Sequence, residues 1–187
     1  MTGLPDLFRA ARLAYRVIAA RGITALPVHP LPILRACRDT TVLTGEEAAE
    51  QIGMRPHEFE RFFDRADAFT LRQEAAGKTR YIVVYRPGGN PEHLRFTLAH
   101  ELGHRLLGHT GAGPSEEREA DCFASHLLCP QPYIDDMREQ HGELCAEQIA
   151  QACYVSIACA RNLSRRPRYP EEDPVLLRAA ELLKIKR

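Results

Sequence analysis

The sequence predicts an α+β fold: a mostly helical body with a small β-sheet beside one central helix. Three observations predict it. Apolar residues recur at helical spacing between cap signals through most of the chain. One stretch reads as a β-hairpin. The 187 residues, 44% apolar and 27% charged, suffice for a single core. The expectation is therefore one domain over residues 1–187, with its core at about 12–166 and a helical tail at 167–187.

Residues 4–21 form an amphipathic helix ended by Gly22, with Asp6, Arg9, Arg12 and Arg16 spread along it. A shorter helix over 31–37 follows a proline-rich entry. Thr44-Gly45-Glu46-Glu47 opens another. Residues 56–64 make a further helix. Ala68-Phe69-Thr70-Leu71-Arg72-Gln73 and Thr79-Arg80-Tyr81-Ile82-Val83-Val84-Tyr85 flank the turn-like Ala76-Gly77-Lys78, which predicts the hairpin.

The central helix is predicted over residues 91–109. Asn90 is its N-cap, Pro91 suits its first position and Glu92 faces the positive end of its dipole. Leu94, Leu98, Leu102 and Leu106 give an apolar stripe, and Gly108 is the stop. Gly103, in mid-helix, costs about 1 kcal/mol against Ala, which points to another backbone packed closely there. Further helices are expected over 115–128, 132–140, 143–153, 155–165 and 174–186, the last partly frayed.

The central helix carries His100-Glu101-Leu102-Gly103-His104. Residues at i and i+4 lie about 40° apart around a helix, so both imidazoles can point at one ion. Glu101 lies about 60° around from His104, close enough to take a proton from water without ligating. Two imidazoles and an adjacent carboxylate in this pattern are the chemistry of zinc-assisted peptide hydrolysis. A third histidine six residues beyond His104 would have to occupy Thr110, so the three-histidine variant is excluded. His109 reads as an exposed polar residue at the helix end.

The third ligand is expected from the 115–128 helix, where Glu116, Glu117 and Glu119 compete. Only Glu117 has a second carboxylate one turn on. Asp121 there is suited to accept the Nδ1–H of a ligating histidine. Glu117 is the choice, against the blander reading that all three glutamates merely favour the helix start. Three ligands leave the fourth position of Zn²⁺ for water, and Mn²⁺ is compatible with the same donors. Tyr81, Tyr85 and His126 are candidate donors to a developing oxyanion, with no choice among them.

The stretch from Arg95 to His109, followed by Glu117-Arg118-Glu119-Ala120-Asp121-Cys122-Phe123-Ala124-Ser125-His126-Leu127-Leu128-Cys129-Pro130, resembles the ImmA/IrrE family of bacterial and phage metallopeptidases. Leu26-Pro27-Val28-His29-Pro30 and Ile149-Ala150-Gln151-Ala152-Cys153-Tyr154-Val155-Ser156 extend the resemblance to roughly residues 12–166. It implies a zincin-like fold, a zinc ion held by His100, His104 and Glu117, and Glu101 as general base. It also implies a protein substrate: members typically cleave a helix-turn-helix repressor made alongside them, which relieves repression. Asp121 stands where Asn is frequent and Cys129 where Met is frequent. The first departure preserves a hydrogen-bond acceptor.

Composition bounds the alternatives. No run is long and apolar enough to cross a membrane, and the N-terminal helix lacks a secretory apolar segment, so a cytoplasmic setting is expected. A formal net charge of zero gives no general attraction to nucleic acid. Arg161, Arg165, Arg166 and Arg168 read as solvated helix-end charges. The six cysteines contain no Cys-x-x-Cys pair and read mostly as small buried hydrophobes, without disulfides. Ala49-x-x-x-Gly53-x-x-x-x-x-Phe59, and Ala150-x-x-Cys153-Tyr154-Val155-Ser156 with Leu163, have helix-turn-helix spacing. They keep open a DNA-binding or sensory regulator whose metal site is structural. Glu101 discriminates, since hydrolysis uses it and a structural site does not.

Overall fold

A computed structural model describes residues 4–64, 66–75, 77–163 and 168–184. Among the described residues the order is α1 (Leu7–Arg21), α2 (Pro30–Arg35), β1 (Thr40–Thr44), α3 (Gly45–Gln51), α4 (Pro56–Phe59), β2 (Ala68–Ala75), β3 (Lys78–Tyr85), α5 (Pro91–Leu107), α6 (Pro114–Leu128), α7 (Gln131–His141), α8 (Ala146–Cys153), α9 (Ile157–Asn162) and α10 (Pro174–Leu183). The fold is α+β and mostly helical. Ala76, Arg165, Arg166 and the expected helix end at 185–186 lie outside the described residues.

Local signals explain most boundaries. The Asp6 carboxylate accepts the Arg9 N–H at 2.9 Å and starts α1. Thr44 and Glu47 form the reciprocal capping box of α3, at 3.2 and 2.7 Å. Asn90 Oδ1 accepts from Glu92 and His93 at 2.9 and 3.2 Å and opens α5 behind Pro91. The predicted 56–64 helix is shorter: α4 has one turn and passes into a 3₁₀ turn over Glu60–Phe62.

The sheet has one strand more than the hairpin. β2 and β3 pair antiparallel from Ala68–Tyr85 to Ala75–Lys78, and β1 pairs parallel to β3 from Thr40–Tyr81 to Thr44–Tyr85, giving the order β1-β3-β2. The central strand is covered on both faces. Val83 and Tyr85 join the main core with Leu98, Ala99 and Leu102 of α5, whereas Val84 packs with Ala48, Ala49, Phe59 and Phe63 of the smaller cluster. Arg105 of α5 holds the start of β1 through Asp39 and the Thr40 hydroxyl.

The C-terminal helix is docked through Leu183. Leu176, Ala179 and Leu183 of α10 are buried in the core shared with α1. The Gln131 side chain accepts the Tyr169 N–H at 2.8 Å and donates to its carbonyl at 3.3 Å. Tyr169 donates its hydroxyl to Asp173 at 3.1 Å, and Arg12 of α1 donates to the same carboxylate.

Burial, with the Asp173 hydrogen bond and charge behind it, raises the Tyr169 phenol to about 12. Since the ordinary tyrosine value is about 10, this raised folded-state pKa contributes stability that is complete below about pH 10 and lost as the pH climbs towards 12. Denaturant unfolding between about pH 8 and 12 should show that decline. Tyr169→Phe should flatten it and cost about 0.5–1.5 kcal/mol at neutral pH for the missing hydrogen bond.

Candidate metal centre

The two histidines of α5 stand one turn apart, mostly shielded from solvent, with their Nε2 atoms 2.9 Å apart. His100 Nδ1 donates to Asp121 Oδ1 at 2.8 Å. That bond keeps the His100 proton on Nδ1 and frees Nε2 as an electron-pair donor.

The competition among the glutamates is resolved by where α6 lies. Glu117 Oε2 is 3.3 Å from His100 Nε2, and its Oε1 is 3.3 Å from His104 Nε2. Glu116 instead turns back to accept the Gly113 N–H at 2.9 Å, and Glu119 accepts the Asp6 N–H at 2.8 Å. One ligand atom each from His100, His104 and Glu117 lies within 4.8 Å of the others. A tetrahedral ion with donors at roughly 2.0–2.1 Å has donor–donor edges of about 3.3–3.4 Å. The three side chains fit a divalent cation after shifts of a few tenths of an ångström.

Gly103 makes this possible. A Cβ there would stand 3.0 Å from the Phe123 ring and 3.3 Å from both Cα and O of Ala120, so the α6 backbone lies directly on α5 one turn from Glu117. The close approach expected at this mid-helix glycine is thus to Ala120 of α6.

The electrostatics favour a cation. Burial lowers His104 to about 4, with the neighbouring His100 and His109 adding to it, so the ring is neutral at physiological pH and ready to ligate. Burial also opposes charge on His100, but the Asp121 hydrogen bond and the negative Asp121, Glu101 and Glu117 outweigh it and raise the net value. Burial raises Glu101, with the His100 charge opposing. The neighbouring buried Thr70 hydroxyl opposes the rise as well.

Residues 59–162 match the family model described as IrrE N-terminal-like domain, a peptidase family. The chain belongs to this ImmA/IrrE metallopeptidase family. It is similar to the radiation response metalloprotease IrrE of Deinococcus radiodurans, at 26% identity over 152 residues that cover 74% of this chain and 40% of that protein. The chain thus spans about two-fifths of the length of the curated relative it matches.

In this ImmA/IrrE chain the paired histidines open onto a cleft of about 880 Å³ between β2 and α5, lined by Phe69, Leu71, Phe96 and Tyr81 and by residues 109–112. Among the described residues the outer edge of β2 pairs with no other strand. Of the three candidate oxyanion donors, Tyr81 alone lines the cleft. His126 is fully buried with its Nδ1 2.6 Å from the Tyr15 hydroxyl, and the Tyr85 hydroxyl meets Arg35.

Two expectations from sequence are corrected. His109 is not an exposed helix-end residue: its side chain is 6% exposed and lies between His104 and Glu119. The left-handed Gly108 (φ 74°) turns the chain back so that the His109 N–H bonds the His104 carbonyl at 3.0 Å, folding His109 onto the last turn of α5. The first helix-turn-helix spacing is a packing pair, because α4 is one turn long and Ala49 and Phe59 are buried in the small cluster. The second does form a helix pair, α8 and α9, but Arg161 faces Glu147 at 3.5 Å. Sequence reasoning also passed over Arg95, whose buried guanidinium donates to the Val28, Cys153 and Tyr154 carbonyls and ties α5 to α8. Its place on the Leu98–Leu102 face was the available signal. Of the cysteines, Cys122, Cys129 and Cys153 are buried, Cys37 and Cys159 half-buried, and Cys145 exposed.

Gly103→Ala should test the α5–α6 contact. The gain of about 1 kcal/mol in helix propensity is expected to be outweighed by an overpacking cost of about 1–3 kcal/mol. Thermal unfolding should show net destabilisation, and metal titration weaker binding as Glu117 is pushed from the imidazoles. A variant more stable than the parent would contradict the close packing.

Proposed function

We propose that this chain is a zinc-dependent endopeptidase that cleaves a helix-turn-helix transcriptional repressor and thereby relieves repression. The observation that carries the peptidase part is the convergence of His100, His104 and Glu117 on one point at the wall of a cleft that Glu101 also lines. Membership of the ImmA/IrrE family supports it. The repressor as substrate rests on the resemblance of the motif helices.

The proposed roles are as follows. His100, His104 and Glu117 would hold the cation, with Asp121 fixing the His100 ring. When bound, the cation supplies Lewis acidity, acidifying water and polarising a peptide carbonyl. Mn²⁺ suits the same donors. Glu101 removes the proton from the attacking water and returns it to the leaving amine. Burial in the cleft wall raises its basicity for the first step and its readiness as an acid for the second. The unpaired edge of β2 binds the substrate backbone by strand addition, while the aromatic wall accepts alternate side chains. The Tyr81 hydroxyl is the assigned donor to the oxygen that gains charge.

Glu101→Gln should fold and retain metal by elemental analysis, yet lose cleavage by about 10²–10⁴-fold. Cleavage at the parent rate would remove Glu101 from the mechanism. For the substrate, the zinc-loaded protein should convert the repressor encoded beside it into one defined pair of fragments by mass spectrometry. An intact repressor alongside cleavage of another protein would keep the peptidase reading and discard the repressor.

A further inference from the structure

We infer that His109 and Glu119 form an orienting relay behind the metal centre, positioning His104 as Asp121 positions His100. The inference rests on the reading of His104 as a ligand.

His104 Nε2 faces His100 and Glu117, while its Nδ1 is 3.0 Å from His109 Nδ1. A neutral imidazole has one donor and one acceptor nitrogen. For Nε2 to offer its electron pair to a cation, the His104 proton must sit on Nδ1, where it is donated to His109 Nδ1. His109 then carries its own proton on Nε2 and donates it to Glu119 Oε2 at 3.1 Å. No other arrangement of neutral rings leaves His104 Nε2 bare and satisfies both contacts.

The far end of the relay is anchored. Glu119 Oε1 accepts the Asp6 N–H at 2.8 Å, and its Oε2 lies 4.0 Å from the Arg9 guanidinium. Arg9 also donates to the Leu107 carbonyl at 2.8 Å. The start of α1 thus holds Glu119, and the end of α5 is held against α1. The His109 and Glu119 side chains are only 6% and 12% exposed, so water competes little for these bonds. The two proposed histidine ligands therefore differ: His100 meets a carboxylate directly, and His104 meets one through a second imidazole. A ring buried at this site for packing alone would need neither nitrogen aligned.

The test measures Zn²⁺ affinity by competition with a chromogenic chelator, with the Co²⁺ absorption band as a probe of ligand geometry. His109→Phe keeps the ring volume but offers no acceptor. It should weaken Zn²⁺ by about 10–100-fold and shift the Co²⁺ band. His109→Asn places an amide oxygen near the position of Nδ1 and should recover most of the affinity, with both apo variants melting alike. Glu119→Gln should weaken Zn²⁺ by about threefold or more, and it decides the matter if His109→Phe does not fold. Zn²⁺ binding within about twofold of the parent in His109→Phe or Glu119→Gln, or equal weakening in the Phe and Asn variants, overturns the relay. His104→Ala separates the two readings. If it loses Zn²⁺ while His109→Phe does not, the relay alone fails; if it binds Zn²⁺ like the parent, His104 is no ligand.

Discussion

The contact of Gly103 with the Ala120 backbone sets the distance between α5 and α6, and the centre of the molecule depends on that distance. Helices separated by ordinary side chains lie about 8–10 Å apart, and any larger residue at Gly103 would move α6 outward. The Glu117 carboxylate, one turn from the contact, would then leave the two imidazoles that it now meets at 3.3 Å. Fully buried Phe123, Leu102 and Leu127 around the contact resist such a shift.

Charge is distributed to match. Carboxylates from both helices surround the histidines, and the field they create raises His100 while burial keeps His104 neutral. One imidazole seeks positive charge and its neighbour offers an electron pair. A divalent cation between them answers both demands and neutralises part of the Glu101 and Glu117 charge. Electrostatics and packing thus suit the same occupant, and the three side chains could hold a metal ion.

The remaining elements hold that pair of helices in register with the cleft. Arg105 fastens β1 to α5, the central strand is packed from both sides, and β2 is left with a free edge beside Glu101. Arg95 closes the opposite side by donating to carbonyls at the end of α8, where the helix C-terminus is negative. The α8–α9 pair is therefore part of the scaffold of α5. Tyr154, in the left-handed turn where glycine is usual, stacks on Arg95.

Much of this was legible in the residues alone. Asn90, Pro91 and Gly108 bound α5 through backbone chemistry that acts within a few residues, and the one-turn spacing of His100 and His104 is a property of any helix. Thr44 and Glu47 announced α3 in the same way, and the aromatic and β-branched residues from Thr79 to Tyr85 announced β3. Gly103 signalled a close contact but not its partner. Other features came from packing across long sequence distances. β1 pairs with a strand some forty residues away, and the only hint of it was the unbroken apolar run at Tyr81–Tyr85, which a strand buried on both faces requires. Glu117 could be preferred over Glu116 and Glu119 from its stripe, but only the seat of α6 on Gly103 brings its oxygens to the imidazoles. The burial of His109 likewise arises where the turn at Gly108, the Glu119 carboxylate and the start of α1 meet. Local rules act through bonds within one element, whereas a site shared by several elements exists only once the core has set their separations.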